Sequence, residues 1–375
     1  MTAISRGAPA TRLVAGLPAT IPFVAPEALE RQSGRPIALR LGANESVFGP
    51  SPRAKAAMYA AVERIAWYAD PENYELRAAL ARHYSVGVEH VSVGCGIDDL
   101  LGLVVRAYLD AGEAAVTSLG GYPTFNYHVA GYGGRLERVP YRDDRNDLDA
   151  LADAARRMRA RLVFLANPDN PTGSWHSAGD LAAFMDALPA NCLLLLDEAY
   201  IEFAPAEVVP PLDVADARVI RLRTFSKAHG MAGARIGYAL ATPETIQTFD
   251  KIRLHFGVNL VAQAGALASL ADTEYLADVV AAVAQGRDDY ARLGASLGIP
   301  TLPSATNFVA FDVGEPARAR ALLAALAERD VFVRMPGAPP LDRLVRVTVG
   351  TPEQRAQFAA ILDEVWPEVA GRAMG

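Results

Sequence analysis

The sequence predicts an α/β protein: a large domain on a mostly parallel central sheet with helices on both faces, and a smaller α+β domain. Three observations predict it. Short apolar runs of strand length alternate with stretches of helical period, the rhythm of a parallel sheet with crossover helices. That rhythm changes near residue 270. The chain's 375 residues, 51% of them apolar, are too many for one small core.

Residues 1–40 read as an N-terminal arm, because prolines and small residues interrupt every apolar run. Arg6 and Arg12 precede LVAGLPATIPFVAP, which has the charge order of a signal peptide. Pro18, Pro22 and Pro26 break that run and no clean small-residue cleavage site follows, so no signal peptide is expected. A large domain is expected over 41–270. Its strands are HVSVGCG, AAVTSL, RLERVPY, RLVFLAN, NCLLLLDEA, RVIRLRTFS and GYALA, short and rich in branched residues. RAKAAMYAAVERI, DLLGLVVRAYL and DLAAFMDAL place apolar residues three and four apart and read as helices. From 271 to 375 a small domain is expected: the helical stretches YLADVVAAVAQGRDDYARLGASLG and EPARARALLAALAERD flank NFVAFDV, and VFVRMPG and LVRVTVGT follow. No repeat of 20 to 50 residues is present, so the chain is not a solenoid.

Charged residues make up 21% of the chain and the net charge is −7. No global basic field draws in nucleic acid or an anionic membrane, so any phosphate partner must be held by local groups. No apolar run approaches the ~20 residues that span a bilayer. Two cysteines, Cys95 and Cys192, suit a reducing cytoplasm and form no metal spacing. The six histidines show no paired spacing, so no metal is expected. Gly294-Ala-Ser296-Leu-Gly298 matches the nucleophile-elbow pattern but closes a helical run, where an elbow would follow a strand.

Four short segments carry chemistry. In TFSKAHGMAGARIG, Lys227 ends an apolar run, and an amine in a weakly hydrated strand end can condense with an aldehyde. Thr224, Ser226 and Arg235 supply two hydroxyls and a forked cation for a phosphate; equally, the lysine could begin a surface loop. In NCLLLLDEAYIEF, Asp197 ends a strand and Tyr200 follows three residues on. A carboxylate there can hold a pyridinium nitrogen protonated and Tyr200 can donate to a ring oxygen, or the acid can cap the next turn. In FLANPDNPTG, prolines fix the backbone around Asn170, and Gly173 permits a sharp turn. In VGCGIDDLLGL, the backbone N–H groups after Gly96, at Ile97 and Asp98, would face an anion at a helix N-terminus. Gly94-x-Gly96-x-x-Asp99 lacks the third glycine of a dinucleotide fingerprint.

In this order the four segments resemble the fold-type I pyridoxal-phosphate enzymes, and among them the histidinol-phosphate aminotransferase branch, from LGANESVFGPSP near 41 to VRVTVGT near 351. The resemblance implies pyridoxal 5'-phosphate carried on Lys227, its phosphate held by Thr224, Ser226, Arg235 and the Gly96-Ile97-Asp98 turn, and its ring met by Asp197, Tyr200 and Asn170. It further implies that Phe125 of GYPTFNY stacks on the ring. Tyr68 of WYADPENYELRAAL would reach a neighbouring subunit's phosphate site, hence a homodimer. Arg346 of VRVTVGT, Arg334 of VFVRMPG and Asn44 would meet the substrate. Since histidinol phosphate has no carboxylate, Arg346 would serve its phosphate together with Arg334, and glutamate's carboxylate in the other half-reaction.

The chain departs from the family pattern at His229, where an aromatic residue is usual, at Gly96-Ile97-Asp98-Asp99, at Ala69 and at Ser46-Val47. The activity implied is transamination between an amino donor, histidinol phosphate or glutamate, and a 2-oxo acid such as 2-oxoglutarate, with Lys227 moving the proton. The partners implied are these small molecules and a second copy of the chain, with no nucleic acid and no membrane. Transamination of aromatic or other amino acids, decarboxylation or elimination of a phosphorylated amino acid, and a non-catalytic cofactor-binding regulator are the alternatives.

Overall fold

Among the described residues eleven strands organise the fold: β1 Leu39–Arg40, β2 Val91–Gly94, β3 Ala114–Ser118, β4 Arg135–Val139, β5 Leu162–Ala166, β6 Leu193–Asp197, β7 Val219–Thr224, β8 Gly237–Leu240, β9 Phe308–Asp312, β10 Val331–Phe332 and β11 Leu344–Thr348. The structure is a computed structural model and describes residues 8–19, 25–208 and 213–372. The expected arm therefore lies partly outside the described residues, as do Arg6 and Pro22 of its apolar run; within it Pro26–Ser33 forms a helix.

Seven strands form one sheet in the order β2-β8-β7-β6-β5-β3-β4. All its pairings are parallel except those of β8, which runs against β7 and β2. This is the mostly parallel sheet the sequence predicts, and each of its seven strands falls within an apolar run named above. Alternation along the strands builds two cores. Phe164, Leu195 and Leu222 pack on one face with the helix Ile97–Tyr108. Val163, Leu165, Leu194 and Leu196 pack on the other with the helices Leu148–Met158 and Ala178–Ala187. A strand covered on both faces must be apolar throughout, and β5 and β6 are buried at every position.

Because β8 is antiparallel to both neighbours, β2 runs parallel to β7. Gly94, Gly237 and Thr224 are register partners across the three strands. The carboxyl ends of β2, β3, β5, β6 and β7 thus open on one edge, where parallel sheets of this kind bind ligands.

A second body of structure uses β9 and β11, which pair antiparallel, and β1 and β10, which pair parallel. An antiparallel bridge between Arg334 and Arg346 joins the two pairs. The long helices Thr273–Leu297 and Pro352–Arg372 pack on them through Tyr290, Phe311 and Phe358. Gly294-Ala-Ser296-Leu-Gly298 closes the first of these helices. Gly298 is its left-handed C-cap and Ser296 Oγ donates back to the Leu293 carbonyl, so the segment has no elbow geometry.

Candidate active site

The strand ends open on a cavity of about 660 Å³. Lys227 lies on its wall. Its Nζ donates to the Asn44 carbonyl at 3.1 Å and stands 5.6 Å from the Tyr200 ring centre. Burial pushes this amine down to about 8, and the Arg346 charge adds to the effect.

Asp197, the last residue of β6, also lines the cavity and is only 5% exposed. Its Oδ1 accepts the Ala199 N–H at 3.0 Å, and no cation forms a salt bridge with it among the described residues. Burial pushes the carboxyl up to about 7 against that one hydrogen bond. A buried acid without a cation is costly, and a cationic ring nitrogen is the kind of partner such a group lacks. Tyr200 follows as the residue that caps a 3-10 turn over Ile201–Phe203; its hydroxyl accepts from Asn44 Nδ2 at 2.9 Å, and burial pushes it up to about 12.

At one end of the cavity the donors suit a phosphate. Thr224 Oγ1 donates to Ser226 Oγ at 3.0 Å, and Arg235 Nη1 reaches the same Ser226 oxygen at 3.4 Å. Ile97 and Asp98 line this end at the start of the helix Ile97–Tyr108, whose first N–H groups have no intrahelical acceptor. Gly96, with φ +83, leaves room for Arg235: a Cβ there would stand 2.6 Å from its Nη2. Gly96→Ala should therefore displace the guanidinium and force an L-residue into an extended positive-φ conformation that is essentially glycine-only, costing roughly 1–3 kcal/mol. We expect the Kd for pyridoxal 5'-phosphate, titrated by protein fluorescence, to rise at least about tenfold while the protein still folds.

The opposite wall comes from the second body. Arg334 and Arg346 both line the cavity and exchange backbone hydrogen bonds, Arg346 N–H to the Arg334 carbonyl at 2.6 Å. Arg346 Nη1 donates to Asn170 Oδ1 and Nη2 to the Gly42 carbonyl, while its buried Nε has no hydrogen-bond partner. Burial pushes Arg346 down to about 10, and the Arg334 charge works the same way. Asn44 lines the cavity but is committed to protein contacts: its Oδ1 accepts from Thr348 Oγ1 and its Nδ2 donates to Tyr200. Arg138, Lys227, Arg235, Arg334 and Arg346 outnumber Asp98 and Asp197 in the lining, so a chain of net charge −7 concentrates positive charge here.

One expected residue is corrected. Phe125 does not reach the cavity; it is fully buried and stacks on Phe164 at 5.2 Å. The helix Thr124–Gly131 begins one residue before it, and Phe125 and Val129, four apart, form that helix's buried face. Besides Tyr200, the aromatic residue that lines the cavity is Tyr122, in the loop before the helix; its hydroxyl donates to Asp98 Oδ1 at 2.8 Å. The sequence signal was available, since a tyrosine before a proline is held outside a helix.

Tyr68 is 83% exposed and lies beside Phe256, away from the cavity lining of its own chain. His229 is buried, bonds Ser269 Oγ at 2.8 Å and packs on Phe225, which makes it a packing residue. Sequence reading also missed Asp169, which holds the Asn170 loop: it accepts from Tyr141, Asn146 and Thr172 inside the core.

The residues present fit pyridoxal 5'-phosphate: a phosphate-sized donor set, a carboxylate lacking a cation, a phenol, a neutralisable amine and an aromatic ring share one cavity. Comparison with known proteins agrees. The family described as aminotransferase class I and II matches residues 36–362. The chain is 38% identical to histidinol-phosphate aminotransferase 1 of Mesorhizobium japonicum over 345 residues, 90% of this chain and 93% of that protein. It is 38% identical to the histidinol-phosphate aminotransferase of Roseiflexus castenholzii over 363 residues, 94% of this chain and 96% of that one. The crystal structure of histidinol-phosphate aminotransferase from Sinorhizobium meliloti in complex with pyridoxal-5'-phosphate superposes with a TM-score of 0.93 at 51% identity, covering 100% of both chains. The chain belongs to the class I and II aminotransferases, in their histidinol-phosphate aminotransferase branch, and is a pyridoxal-phosphate-dependent transaminase of fold type I.

Proposed function

We propose that this transaminase moves the amino group between histidinol phosphate or glutamate and a 2-oxo acid such as 2-oxoglutarate. The observation that carries the substrate is the Arg334–Arg346 pair. Two guanidinium groups on adjoining strands share one cavity wall and repel each other, and a dianionic phosphate relieves that repulsion while using their fixed forks.

Pyridoxal 5'-phosphate supplies, when bound, an aldehyde that takes up and gives up amino groups and a ring that accepts electron density. The residues do the rest. Thr224, Ser226, Arg235 and the N–H groups of Ile97 and Asp98 bind its phosphate. Asp197 would hold a proton on its ring nitrogen, Asn170 and Tyr200 would meet its ring oxygen, and Tyr122, which lines the cavity, would lie against the ring. Lys227 carries a proton on and off Nζ; burial, which pushes the amine down to about 8, favours both tasks near neutral pH. Arg346 and Arg334 orient the substrate's acidic group, and Asn44 holds Tyr200 and Lys227 in place.

The same reading includes a homodimer. It is supported by Tyr68 and Phe256, both exposed with their rings 4.7 Å apart, and by the large apolar side chains Tyr59, Ile65, Trp67 and Leu254 that are also left exposed. Tyr68 would complete the neighbouring phosphate site. It includes a cytoplasmic location, which the free Cys95 and Cys192 support; among the described residues no helix is long and apolar enough to cross a membrane. It also divides the chain into an arm to residue 40, a large domain over 41–270 and a small domain over 271–375. That division is supported by a seven-stranded sheet confined to 91–240 and a separate core built largely from 273–372.

Arg334→Ala tests the substrate. Losing a charge-assisted contact worth about 1.5–3 kcal/mol should lower kcat/KM for histidinol phosphate by roughly 10- to 150-fold. Steady-state assays with histidinol phosphate and with phenylalanine as donors decide the matter. An unchanged kcat/KM for histidinol phosphate, or a parent enzyme that prefers phenylalanine, overturns the assignment.

A further inference from the structure

We propose that Glu198 is a positioning residue: clamped by Arg221 and Arg223 behind the sheet, it fixes the end of β6 against the end of β7 and so sets the reach between Asp197 and the Thr224–Lys227 segment. The inference rests on the reading of Asp197 and Lys227 given above.

The geometry follows from strand alternation. Leu195 and Asp197 on β6, and Leu222 and Thr224 on β7, face the side that carries the cavity. Glu198, Arg221 and Arg223 therefore fall on the other side, directly behind. Asp197 and Leu222 are register partners, and Glu198 N–H continues the ladder to the Leu222 carbonyl at 2.8 Å. Both carboxylate oxygens are engaged: Oε1 accepts from Arg221 Nη2 at 2.6 Å, and Oε2 accepts from Arg221 Nε at 3.0 Å and Arg223 Nε at 2.8 Å. Arg223 also donates to Tyr84, whose hydroxyl meets that of Tyr238 on β8 at 2.6 Å. The clamp thus spans three adjacent strands.

Glu198, Arg221 and Arg223 are 0%, 4% and 8% exposed. Burying three charges is an expensive way to gain stability, because apolar residues of the same volume commonly serve as well or better. Directed hydrogen bonds do supply a fixed distance, which apolar packing leaves looser. Two strand ends that must present an acid and an amine to one small ring need that distance held.

Two variants test this: Glu198→Gln, and the triple Glu198→Leu/Arg221→Met/Arg223→Met, which removes the charges together. Three quantities are read on each: melting temperature, the Kd of the cofactor-free protein for pyridoxal 5'-phosphate, and the visible circular dichroism of the bound cofactor, which reports ring orientation. The triple variant is expected to fold with a melting temperature near the parent's, yet show a Kd raised at least tenfold and an altered dichroic band. Glu198→Gln is expected to raise Kd three- to tenfold. A folded triple variant with the parent's Kd and band reduces the clamp to packing and overturns the proposal. If the triple variant does not fold, parental values in Glu198→Gln overturn it alone. Asp197→Asn is titrated alongside: should it also keep the parent's Kd and band, the reading of the site fails, a result distinct from failure of the clamp.

Discussion

Replacing Lys227 by alanine is expected to lower turnover at least about 10³-fold, because it removes the one amine that can both anchor the cofactor and carry a proton to the reacting carbon. No other lysine lines the cavity, and its five cations are otherwise arginines, which stay protonated and cannot exchange roles with Lys227. The fold should survive. Nζ makes a hydrogen bond to the Asn44 carbonyl, which keeps a second donor in Asn307 Nδ2. The measurement is a coupled assay for glutamate formed from histidinol phosphate and 2-oxoglutarate, with a parallel thermal melt. Borohydride treatment followed by peptide mapping should place the cofactor's mass on the peptide containing residue 227 in the parent and nowhere in the variant. An alanine variant that keeps a tenth of the parent's rate refutes the role.

Replacing Asp197 by asparagine has two expected effects of different sign. On the proposed reading it removes, in the loaded enzyme, the anion that would keep the ring nitrogen protonated, and kcat should fall roughly 10²- to 10³-fold, the scale on which a lost electrostatic partner is felt in a water-excluded site. In the cofactor-free protein it should relieve a cost. Burial raises the carboxyl from 3.8 to about 7. The folded state then binds more protons than the unfolded chain between those values, so stability is full below about pH 4 and declines as pH rises towards 7. That decline amounts to at most about 4 kcal/mol at 1.36 kcal/mol per unit. Melting curves of the cofactor-free proteins from pH 4 to 8 should show this slope in the parent and a flatter one in the variant. Equal slopes would mean that the carboxyl is not isolated as its surroundings imply.

How far the site could be read from the chain depended on distance along it. Asp197 ends a strand, Asn170 sits between prolines, and Lys227, Tyr200 and Arg235 lie within three residues of a strand end, so local sequence was enough to mark them. Six of the seven sheet strands were legible because buried strands read as largely apolar runs, whereas the edge strand β4, exposed at Arg135 and Arg138, lacks that signature. Phe125 misled because one residue decides whether an aromatic side chain precedes a helix or joins its buried face. Arg138 could not be found, since nothing in RLERVPY tells that this edge strand turns one arginine towards the cavity mouth while Glu137 pairs with Arg157. Glu198 was equally hidden. Its partners lie 23 and 25 residues away, and only the β6–β7 register brings them together.

The segment Leu39–Asn44 has a mechanical consequence. Leu39 pairs with Val331, the Leu41 carbonyl accepts from Thr348 N–H, and Asn44 then touches Lys227 and Tyr200. Arg334 and Arg346 are joined by backbone hydrogen bonds, and the Tyr200 ring and the Arg346 guanidinium both pack on Phe308 of β9. The phenol, the guanidinium groups and Asn44 are therefore braced by one frame, so a change to any part of it is felt at every one of them.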